Sequence, residues 1–427
     1  MVIGNGGREH AIVWKLSHSD SVTELLVSPG NAGTQQIAQN VPISSGDVAG
    51  LLDYAKQNKV DLTVVGPEAP MVAGISNAFS KDGLLVVGPT KEAALLESSK
   101  SFAKNLMLDI GIPTGSAEIF TSYNEARDYV ISLHGPVVVK ADGLAAGKGV
   151  IVTQTKNEAL EALRIIMETK SFGTAGDKVL IEEYLEGQEI SVFAFVDGRN
   201  ISSMVSACDY KRIGDGDVGP NTGGMGSFSP PETWTQELEN QVRVEIMEPI
   251  VQALKDQGTP YTGILYAGLI LTTQGPKVLE FNCRFGDPET QVILPRLKTD
   301  FADVMFGLAQ GRLDEIPVEW KEEVCVGIVL ASEGYPASYS TGYSIHGLND
   351  LDSDIPVFHA GTKLIESDDG NTSLIVTDGG RVLTVSALGK TIDEARYEAY
   401  KKVKRIEFEG MVYRKDIAKV NTKSKNP

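Results

Sequence analysis

Cysteine and clustered histidine are scarce in this chain of 427 residues. The three cysteines, Cys208, Cys283 and Cys325, show no Cys-x-x-Cys spacing, and an odd number is a poor basis for a disulfide framework. The five histidines are scattered singly, without the spacing of metal ligands. We therefore expect reduced thiols, and we expect Cys283 to pack in the core rather than act as a nucleophile.

Positive charge and long apolar runs are also scarce. Asp and Glu outnumber Lys and Arg by 57 to 39, which gives a formal net charge of -18 and argues against an extended nucleic-acid-binding surface. A few local lysines and backbone amides still suffice to make one cleft basic enough for a small anion. Neither a signal peptide nor a bilayer-spanning apolar run is found, so the sequence predicts a cytoplasmic protein without a membrane partner.

The composition and length predict a folded protein of about three domains. Hydrophobic residues make up 42% of the chain and charged residues 22%, close to the averages for globular proteins. In roughly the first hundred residues, short apolar runs alternate with helical stretches, the pattern of a parallel α/β domain. The loops at the carboxyl ends of those strands are expected to line one crevice.

A glycine-rich turn with two lysines lies between two apolar strands at residues 137–152. Gly143, Gly147 and Gly149 let backbone amides approach an anion, and Lys140 and Lys148 add positive charge. The commoner phosphate loop is excluded, because Gly143 and Gly147 are too close and Gly149 stands where that motif has Ser or Thr. The turn therefore predicts a phosphate cradle of another kind.

The strand at residues 277–284 has one polar face. Alternation places Glu280, Asn282 and Arg284 on one side and apolar side chains, including Leu279 and Phe281, on the other. A carboxylate beside an amide oxygen suits Mg²⁺, which takes its other ligands from water and phosphates. A solvated strand face is the alternative, but an arginine next to such a pair favours a site where phosphoryl transfer is stabilised.

Two further segments gain meaning beside these motifs. The acidic strand end at residues 181–189 offers backbone groups for an adenine edge and a carboxylate for ribose hydroxyls, although alone it is more typical of a solvated surface. Residues 206–231 are rich in Gly, Asp and Pro and are predicted to form a long functional loop, with a flexible linker as the alternative. We further predict a strand at 179–183 and helices at 124–133, 156–169 and 392–403.

Taken in order, the lysine helix near residue 100, the glycine turn, the acidic strand and the Glu-x-Asn-x-Arg strand resemble ATP-grasp enzymes. Longer motifs resemble the glycinamide ribonucleotide synthetases, also called phosphoribosylamine-glycine ligases. These motifs are GNGGREH at 4–10, PGNAGT at 29–34, GPEAP at 66–70, KADGLAAGKG at 140–149, GPNTGGMG at 219–226 and RFGDPE at 284–289. FHAGTK at 358–363 and GGR at 379–381 extend the resemblance over nearly the whole chain.

The resemblance implies a multidomain α/β and α+β fold. Residues 1–97 would form an α/β substrate-binding domain, 98–318 an ATP-grasp domain with a small lid at about 119–195, and 319–427 a β-rich α+β domain. The implied reaction is the ATP-dependent ligation of glycine to 5-phosphoribosylamine through glycyl phosphate, in de novo purine biosynthesis. Its products are glycinamide ribonucleotide, ADP and phosphate, and the implied protein is a monomer or weak dimer.

The resemblance also implies residue roles. Arg284 would steady the acyl phosphate, Asp209 would hold the glycine ammonium or accept a proton, and Glu280 with Asn282 would bind Mg²⁺ or Mn²⁺. The implied ATP-binding residues are Lys100, Lys140, Gly147, Lys148, Gly149, Glu182, Glu183, Leu185 and Glu189. The implied substrate-binding residues are Gly7, Asn31, Gly33, Glu68, Lys211, Gly223, Gly224 and Asp287.

This chain departs from the family pattern in three places. Cys208 and Tyr210 stand where relatives carry Gln and His, the strand at 266–271 adds no acidic metal ligand, and only three residues precede the first glycine turn. The alternatives are another ATP-grasp carboxylate-amine ligase, a carboxylase or a non-catalytic nucleotide-binding protein. A nicotinamide-dependent oxidoreductase fits worse, because Glu9 replaces the third glycine of its fingerprint.

Overall fold

The computed structural model describes residues 1–145, 149–351, 355–366 and 373–419. The first apolar runs form a parallel sheet, as the sequence predicts. Its elements are β1 (Val2–Gly4), α1 (Gly7–Leu16), β2 (Leu26–Pro29), β3 (Gln39–Asn40), α2 (Val48–Gln57), β4 (Thr63–Val65), α3 (Glu68–Val72), α4 (Ile75–Lys81), β5 (Val86–Val87) and α5 (Leu95–Ser98). The strand order is β3-β2-β1-β4-β5, with every neighbouring pair parallel.

A second, four-stranded antiparallel sheet follows. Its region comprises α6 (Lys100–Asp109), β6 (Ala117–Phe120), α7 (Tyr123–Ser132), β7 (Val137–Ala141), β8 (Val150–Thr153), α8 (Lys156–Leu163) and β9 (Val179–Glu183). The strand order is β6-β9-β7-β8. Ser99 caps α6 and Thr155 caps α8, each by accepting a backbone N–H, which explains where these helices begin. A π-helical turn, Arg164–Glu168, continues α8 close to its predicted end.

The third region forms the middle of the molecule. Its elements are β10 (Gln188–Asp197), β11 (Val205–Asp209), β12 (Arg212–Gly214), β13 (Val218–Asn221), β14 (Gly226–Ser229), α9 (Gln236–Val242), α10 (Glu248–Asp256), β15 (Thr262–Thr272), β16 (Gly275–Asn282), α11 (Thr290–Ile293) and α12 (Phe301–Gln310). The predicted long loop at 206–231 was wrong, because four strands occupy much of it. A composition dominated by Gly, Asp and Pro hid the strands, whose pairing is carried by the backbone.

The last region adds β17 (Val324–Ser332), β18 (Val357–His359), β19 (Thr362–Glu366), β20 (Ser373–Thr377), β21 (Arg381–Gly389), α13 (Ile392–Val403) and β22 (Met411–Val412). The bounds of α13 equal those predicted. One sheet of order β16-β15-β10-β11-β14-β17-β21-β18, with β22 beside β17, joins this region to the preceding one. The link is the antiparallel pairing of β14 with β17, so the backbone hydrogen bonds continue past residue 318.

The three cysteines are free and buried, and Cys283 lies in an apolar core cluster. Burial raises the pKa of the Cys208 and Cys325 thiols to about 12. The expected core position of Cys283 therefore agrees with the structure. None of the helices in the described ranges combines the length and apolarity needed to cross a membrane.

Two buried histidines join the first helix to the last large sheet. His10 of α1 accepts a hydrogen bond at its Nδ1 from the backbone N–H of His359 in β18, at 2.8 Å. The Nδ1 atom of His359 lies 3.1 Å from Thr362 Oγ1. Burial lowers the pKa of His359 to about 4, and burial together with His359 lowers the pKa of His10 well below its usual value.

Acid therefore destabilises this contact. Unfolded histidine takes up a proton near pH 6.5, whereas folded His359 stays neutral down to about pH 4, so the free energy of unfolding falls as the pH drops through that window. For His359 alone we expect a loss of about 2 kcal/mol between pH 7 and pH 5. Urea unfolding at pH 7 and at pH 5 measures this change in the free energy of unfolding. The exposed His18, changed to Gln, should leave the dependence of the free energy of unfolding on pH intact, whereas His359→Gln should reduce it. Equal dependence in the two variants would contradict the prediction.

Candidate active site

A cavity of about 150 Å³ opens where β7, β9 and β16 meet α5 and α6. Several predicted site residues line it together. These are Glu68, Lys100, Lys140, Gly149, Glu182, Glu280, Asn282 and Arg284. Glu68 and Glu97 come from helices of the first region, Lys140 from the four-stranded sheet and Glu280 from the large sheet, so the site lies between the three regions.

Two lysines share one buried carboxylate in the cavity wall. Lys140 Nζ lies 2.8 Å from Glu182 Oε2, and Lys104 Nζ lies 3.4 Å from the same oxygen. Lys140 also donates to the carbonyl of Leu279 at 3.0 Å, and Lys104 donates to Thr114 Oγ1 at 2.7 Å. Two ammonium groups against one carboxylate leave net positive charge in the wall, which suits a phosphate.

Lys100 adds a third ammonium group at the mouth of the glycine turn. Its Nζ donates to the carbonyl of Gly143 at 2.9 Å. Burial lowers the pKa of Lys100, although Glu280 acts in the opposite direction. The base of the turn is tied down by Asp142, which accepts from the Ser101 backbone at 3.0 Å and its hydroxyl at 2.6 Å. Gly147 and Lys148, both predicted to bind ATP, lie outside the described residues.

The two glutamates at the end of β9, Glu182 and Glu183, point to opposite sides of the sheet, because successive side chains of a strand alternate. Glu182 points into the cavity, whereas Glu183 is exposed and accepts from the backbone of Ser116 at 3.1 Å. Glu183, Leu185 and Glu189 are absent from the described residues that line the cavity. The structure therefore places Glu182 with the lysines and leaves the other three outside the described lining of the cavity.

A bulge sets the polar face of β16. Gly268 pairs with Glu280 and Leu269 with Val278, so Leu279 is an extra residue in the strand. Leu279 consequently lines the same cavity as Glu280, which corrects the expectation that it lies on the opposite face. Phe281 packs in the apolar core cluster that also holds Cys283, as the alternation predicts.

Glu280 and Asn282 offer two oxygen donors to a cation. Burial raises the pKa of Glu280, but Lys211, Lys140 and Lys100 together bring it below its usual value, so the carboxylate is ionised. Asn282 Nδ2 lies 3.4 Å from Glu280 Oε1. Among the described residues no group of three or more His, Cys, Asp and Glu side chains is arranged for a metal. This donor set fits a hard divalent cation that keeps water and phosphate ligands.

Arg284 is held between two carboxylates. Its Nε lies 2.8 Å from Glu68 Oε2, and its Nη2 lies 2.9 Å from Glu97 Oε1. Nη2 also donates to Asn282 Oδ1 at 3.3 Å. The structure thus joins Arg284 to Glu68, two residues predicted for different steps, and adds Glu97, which belongs to none of the sequence motifs.

Asp209, Lys211 and Glu189 form a charged group on the same sheet face. Asp209 ends β11, and the strand register places it on the face that carries Glu189 and Glu280. Lys211 Nζ is paired with the Glu189 carboxylate. Burial raises the pKa of Asp209 against the lowering effect of Lys211. Glu289, which the sequence reasoning omitted, accepts from Tyr266 Oη at 3.0 Å nearby.

Arg381 of β21 fastens two predicted substrate loops together. Its Nη1 donates to the carbonyls of Gly223 at 2.5 Å and Asp287 at 2.7 Å, and its Nη2 lies 3.3 Å from Asp287 Oδ1. Gly224 has a φ of +112°, which favours glycine there. The Gly-Gly-Arg motif at 379–381 did not by itself predict this role for Arg381.

The remaining predicted substrate residues lie around the start of α1. Asn31 Nδ2 donates to the carbonyls of Asn5 at 2.9 Å and His359 at 2.8 Å, while its Oδ1 accepts from Gly33 at 2.9 Å. The Asn31 side chain is therefore engaged in shaping its own loop. Gly7 is the first residue of α1, and a Cβ on Gly33 would collide with the rings of His10 and His359.

Three models of one family match the chain in order. The phosphoribosylglycinamide synthetase N domain matches residues 1–97, the ATP-grasp (A) domain residues 98–290 and the C domain residues 325–420. The chain belongs to the phosphoribosylglycinamide synthetase family. The predicted family and fold class are thereby confirmed, and membership of this ATP-grasp family implies the use of ATP and a divalent metal.

Individual relatives agree with this phosphoribosylglycinamide synthetase membership. A phosphoribosylamine-glycine ligase of Halalkalibacterium halodurans is 50% identical over 417 residues, which cover 98% of this chain and 96% of the relative. A phosphoribosylamine-glycine ligase of Caldanaerobacter subterraneus subsp. tengcongensis is 49% identical over 418 residues, which cover 98% of this chain and 99% of the relative. The crystal structure of a phosphoribosylamine-glycine ligase from Thermotoga maritima aligns with a TM-score of 0.84 at 36% identity, over 97% of this chain and 99% of that one.

A more distant structure shares the fold alone. Biotin carboxylase from Campylobacter jejuni aligns with a TM-score of 0.68 at 14% identity, over 96% of this chain and 92% of that one. Its likeness extends the phosphoribosylglycinamide synthetase architecture to carboxylases of the same fold without indicating a shared substrate.

Proposed function

We propose that this chain ligates glycine to 5-phosphoribosylamine at the expense of ATP, through glycyl phosphate, giving glycinamide ribonucleotide, ADP and phosphate. The observation that carries the proposal is the placement of Lys100, Lys140 and the Glu280–Asn282 pair around one cavity, with Arg284 at its edge. The names of the relatives support the choice of substrates.

The first step activates glycine. A carboxylate oxygen of glycine attacks the γ-phosphorus of ATP, the bond to the bridging oxygen breaks, and ADP leaves. Lys100 and Lys140 hold the phosphates, and Glu280 with Asn282 would hold Mg²⁺ or Mn²⁺, which supplies charge neutralisation for the phosphates. Arg284 faces the acyl phosphate as charge builds on it.

The second step forms the amide. The amine nitrogen of phosphoribosylamine attacks the glycyl carbonyl carbon, phosphate leaves with the C–O bonding pair, and the nitrogen loses a proton. Asp209 holds the glycine ammonium or accepts that proton. Glu68 and Asp287 hold phosphoribosylamine, together with Lys211, the Gly223–Gly224 turn and the loops of Gly7, Asn31 and Gly33. Gly147, Lys148, Gly149, Glu182, Glu183, Leu185 and Glu189 complete the proposed ATP site.

The proposal includes the organisation and location of the protein. Its substrate-binding, ATP-grasp and C-terminal domains span 1–97, 98–318 with a lid at about 119–195, and 319–427. The protein works in the cytoplasm on small-molecule substrates, as a monomer or weak dimer, without nucleic-acid or membrane partners. The family matches to three consecutive segments support this division.

ADP release tests the reaction. The purified chain, given ATP and Mg²⁺, should release ADP only when both glycine and freshly generated phosphoribosylamine are present. Bicarbonate in place of glycine should cause no ADP release. Release with bicarbonate would instead indicate a carboxylase of the same fold. Equal ADP release without glycine would refute the proposal, and formation of glycinamide ribonucleotide, followed by mass spectrometry, would support it.

Arg381 should affect one substrate selectively. Lysine presents a point charge instead of a planar fork, so Arg381→Lys loosens the Gly223 turn from Asp287. We expect the KM for phosphoribosylamine to rise about tenfold, because the loss of roughly one hydrogen bond changes the binding free energy by the amount that corresponds to that factor. The KM for ATP should stay unchanged. Arg396→Lys is the matched control, since Arg396 also donates to two carbonyls, those of Ile417 and Lys415. Equal rises in both KM values would show a general loss of structure instead.

A further inference from the structure

Glu97 is a buried carboxylate that no sequence motif includes. It lies in α5 and lines the cavity, and its side chain is only 7% exposed. A carboxylate so far from water is costly unless charged or polar partners satisfy it. Its partners therefore indicate why it is there.

The two oxygens of Glu97 bind consecutive residues of one segment. Oε1 forms the ion pair with Arg284 Nη2 at 2.9 Å, and Oε2 accepts the backbone N–H of Cys283 at 2.7 Å. One contact fixes the guanidinium, and the other fixes the backbone from which that side chain starts. Glu97 thereby restricts both the direction and the origin of the Arg284 side chain.

Glu68, the second carboxylate on Arg284, is less enclosed. Its side chain is 28% exposed, and it begins α3 at a position proposed to hold phosphoribosylamine. Both carboxylates line the cavity, but Glu97, at 7% exposed, is the more enclosed of the two. The two carboxylates consequently differ in what they can do: Glu97 is the fixed partner of Arg284.

We propose that Glu97 is the positioning residue for Arg284, holding its guanidinium where the phosphoryl group is transferred. The proposal deepens the proposed function, since it takes from it the part that Arg284 plays in the reaction. Glu97 touches no reacting atom and acts through Arg284.

The isosteric variant Glu97→Gln tests this role. It keeps the volume of the side chain but loses the negative charge. Its NH₂ group must face either Arg284 Nη2 or the backbone N–H of Cys283, so one of these two donors loses its acceptor. We expect kcat for glycine-dependent ADP release to fall about 10-fold to 100-fold, the usual effect of losing a residue that orients a site group. The KM for ATP should change less than about twofold, because the lysines that hold its phosphates are untouched.

A double-variant cycle separates positioning from a general structural role. Arg284→Met alone leaves Glu97 buried without its countercharge and should lower Tm; adding Glu97→Gln removes that charge and should raise Tm again. In the Arg284→Met background, Glu97→Gln should change kcat less than about twofold, since the group it positions is already gone.

Asp197→Asn is the matched control. Asp197 is also buried and accepts backbone N–H groups, from Asn200 at 2.8 Å and Leu313 at 3.0 Å, so its loss should lower Tm without a selective fall in kcat. Wild-type kcat in Glu97→Gln, or additive effects of the two changes on Tm, would overturn the inference while leaving the proposed function intact. Absence of glycine-dependent ADP release in the wild type would refute the proposed function, and the Tm cycle would still test the coupling of Glu97 to Arg284.

Discussion

Glu280→Ala should lower the rate of glycine-dependent ADP release by about 100-fold to 1,000-fold. The variant removes the carboxylate proposed to hold the divalent cation, which is ionised beside Lys100, Lys140 and Lys211. Loss of the cation would remove charge neutralisation from the transferring phosphoryl group. The measurement is coupled detection of ADP over a range of Mg²⁺ concentrations.

A matched control distinguishes this effect from a loss of any glutamate. Glu319 is exposed and pairs with Lys298 at 3.1 Å, so Glu319→Gln should retain wild-type kinetics. Glu280→Gln should respond to Mg²⁺ only at higher concentrations than the wild type, since an amide oxygen is a weaker ligand. Wild-type turnover in Glu280→Ala would contradict the proposed metal site.

Lys140→Met should raise the KM for ATP by about 10-fold to 100-fold and lower Tm as well. Lys140 lies 2.8 Å from Glu182 in the cavity wall, so its removal takes a positive charge from the phosphates and leaves the buried Glu182 with Lys104 alone, at 3.4 Å. Steady-state kinetics and a thermal melt measure the two parts of the effect.

A surface pair provides the comparison for Lys140. Lys56 lies 2.7 Å from Asp82, a similar separation, but its side chain is 51% exposed. Lys56→Met should change neither Tm nor the KM for ATP appreciably, because exposed ion pairs contribute little. If the two variants behave alike, the buried charge cluster has no special part in ATP binding.

Local patterns made much of the fold predictable. Thr391 accepts from the backbone of Glu394 and caps α13, so the apolar spacing and the cap together define the helix at 392–403. The short apolar run at 179–181, followed by two glutamates, likewise indicated β9. The strands within 206–231 were missed because their composition is poor in strand-forming residues and β14 pairs with β17, about a hundred residues away, whereas β12 and β13 pair with each other in a two-stranded sheet.

The site followed the same division. Motif residues such as Lys140, Glu280 and Arg284 were predicted, and the structure brings them to one cavity. Glu97 and Arg381 were not, because their partners lie 187 and 158 residues away and no local pattern signals such a contact. The bulge at Leu279 was also invisible to a strict alternation of faces.

The pairing of β14 with β17 has a consequence for shortened forms of the chain. Gly226 to Ser229 are matched with Ile328 to Cys325 along the whole of β14. Removing everything after residue 318 strips that partner and leaves the N–H and C=O groups on one side of β14 bare. An unpaired strand edge is a template for pairing with other molecules. By pairing with β14, the last region therefore also protects the large sheet from aggregation.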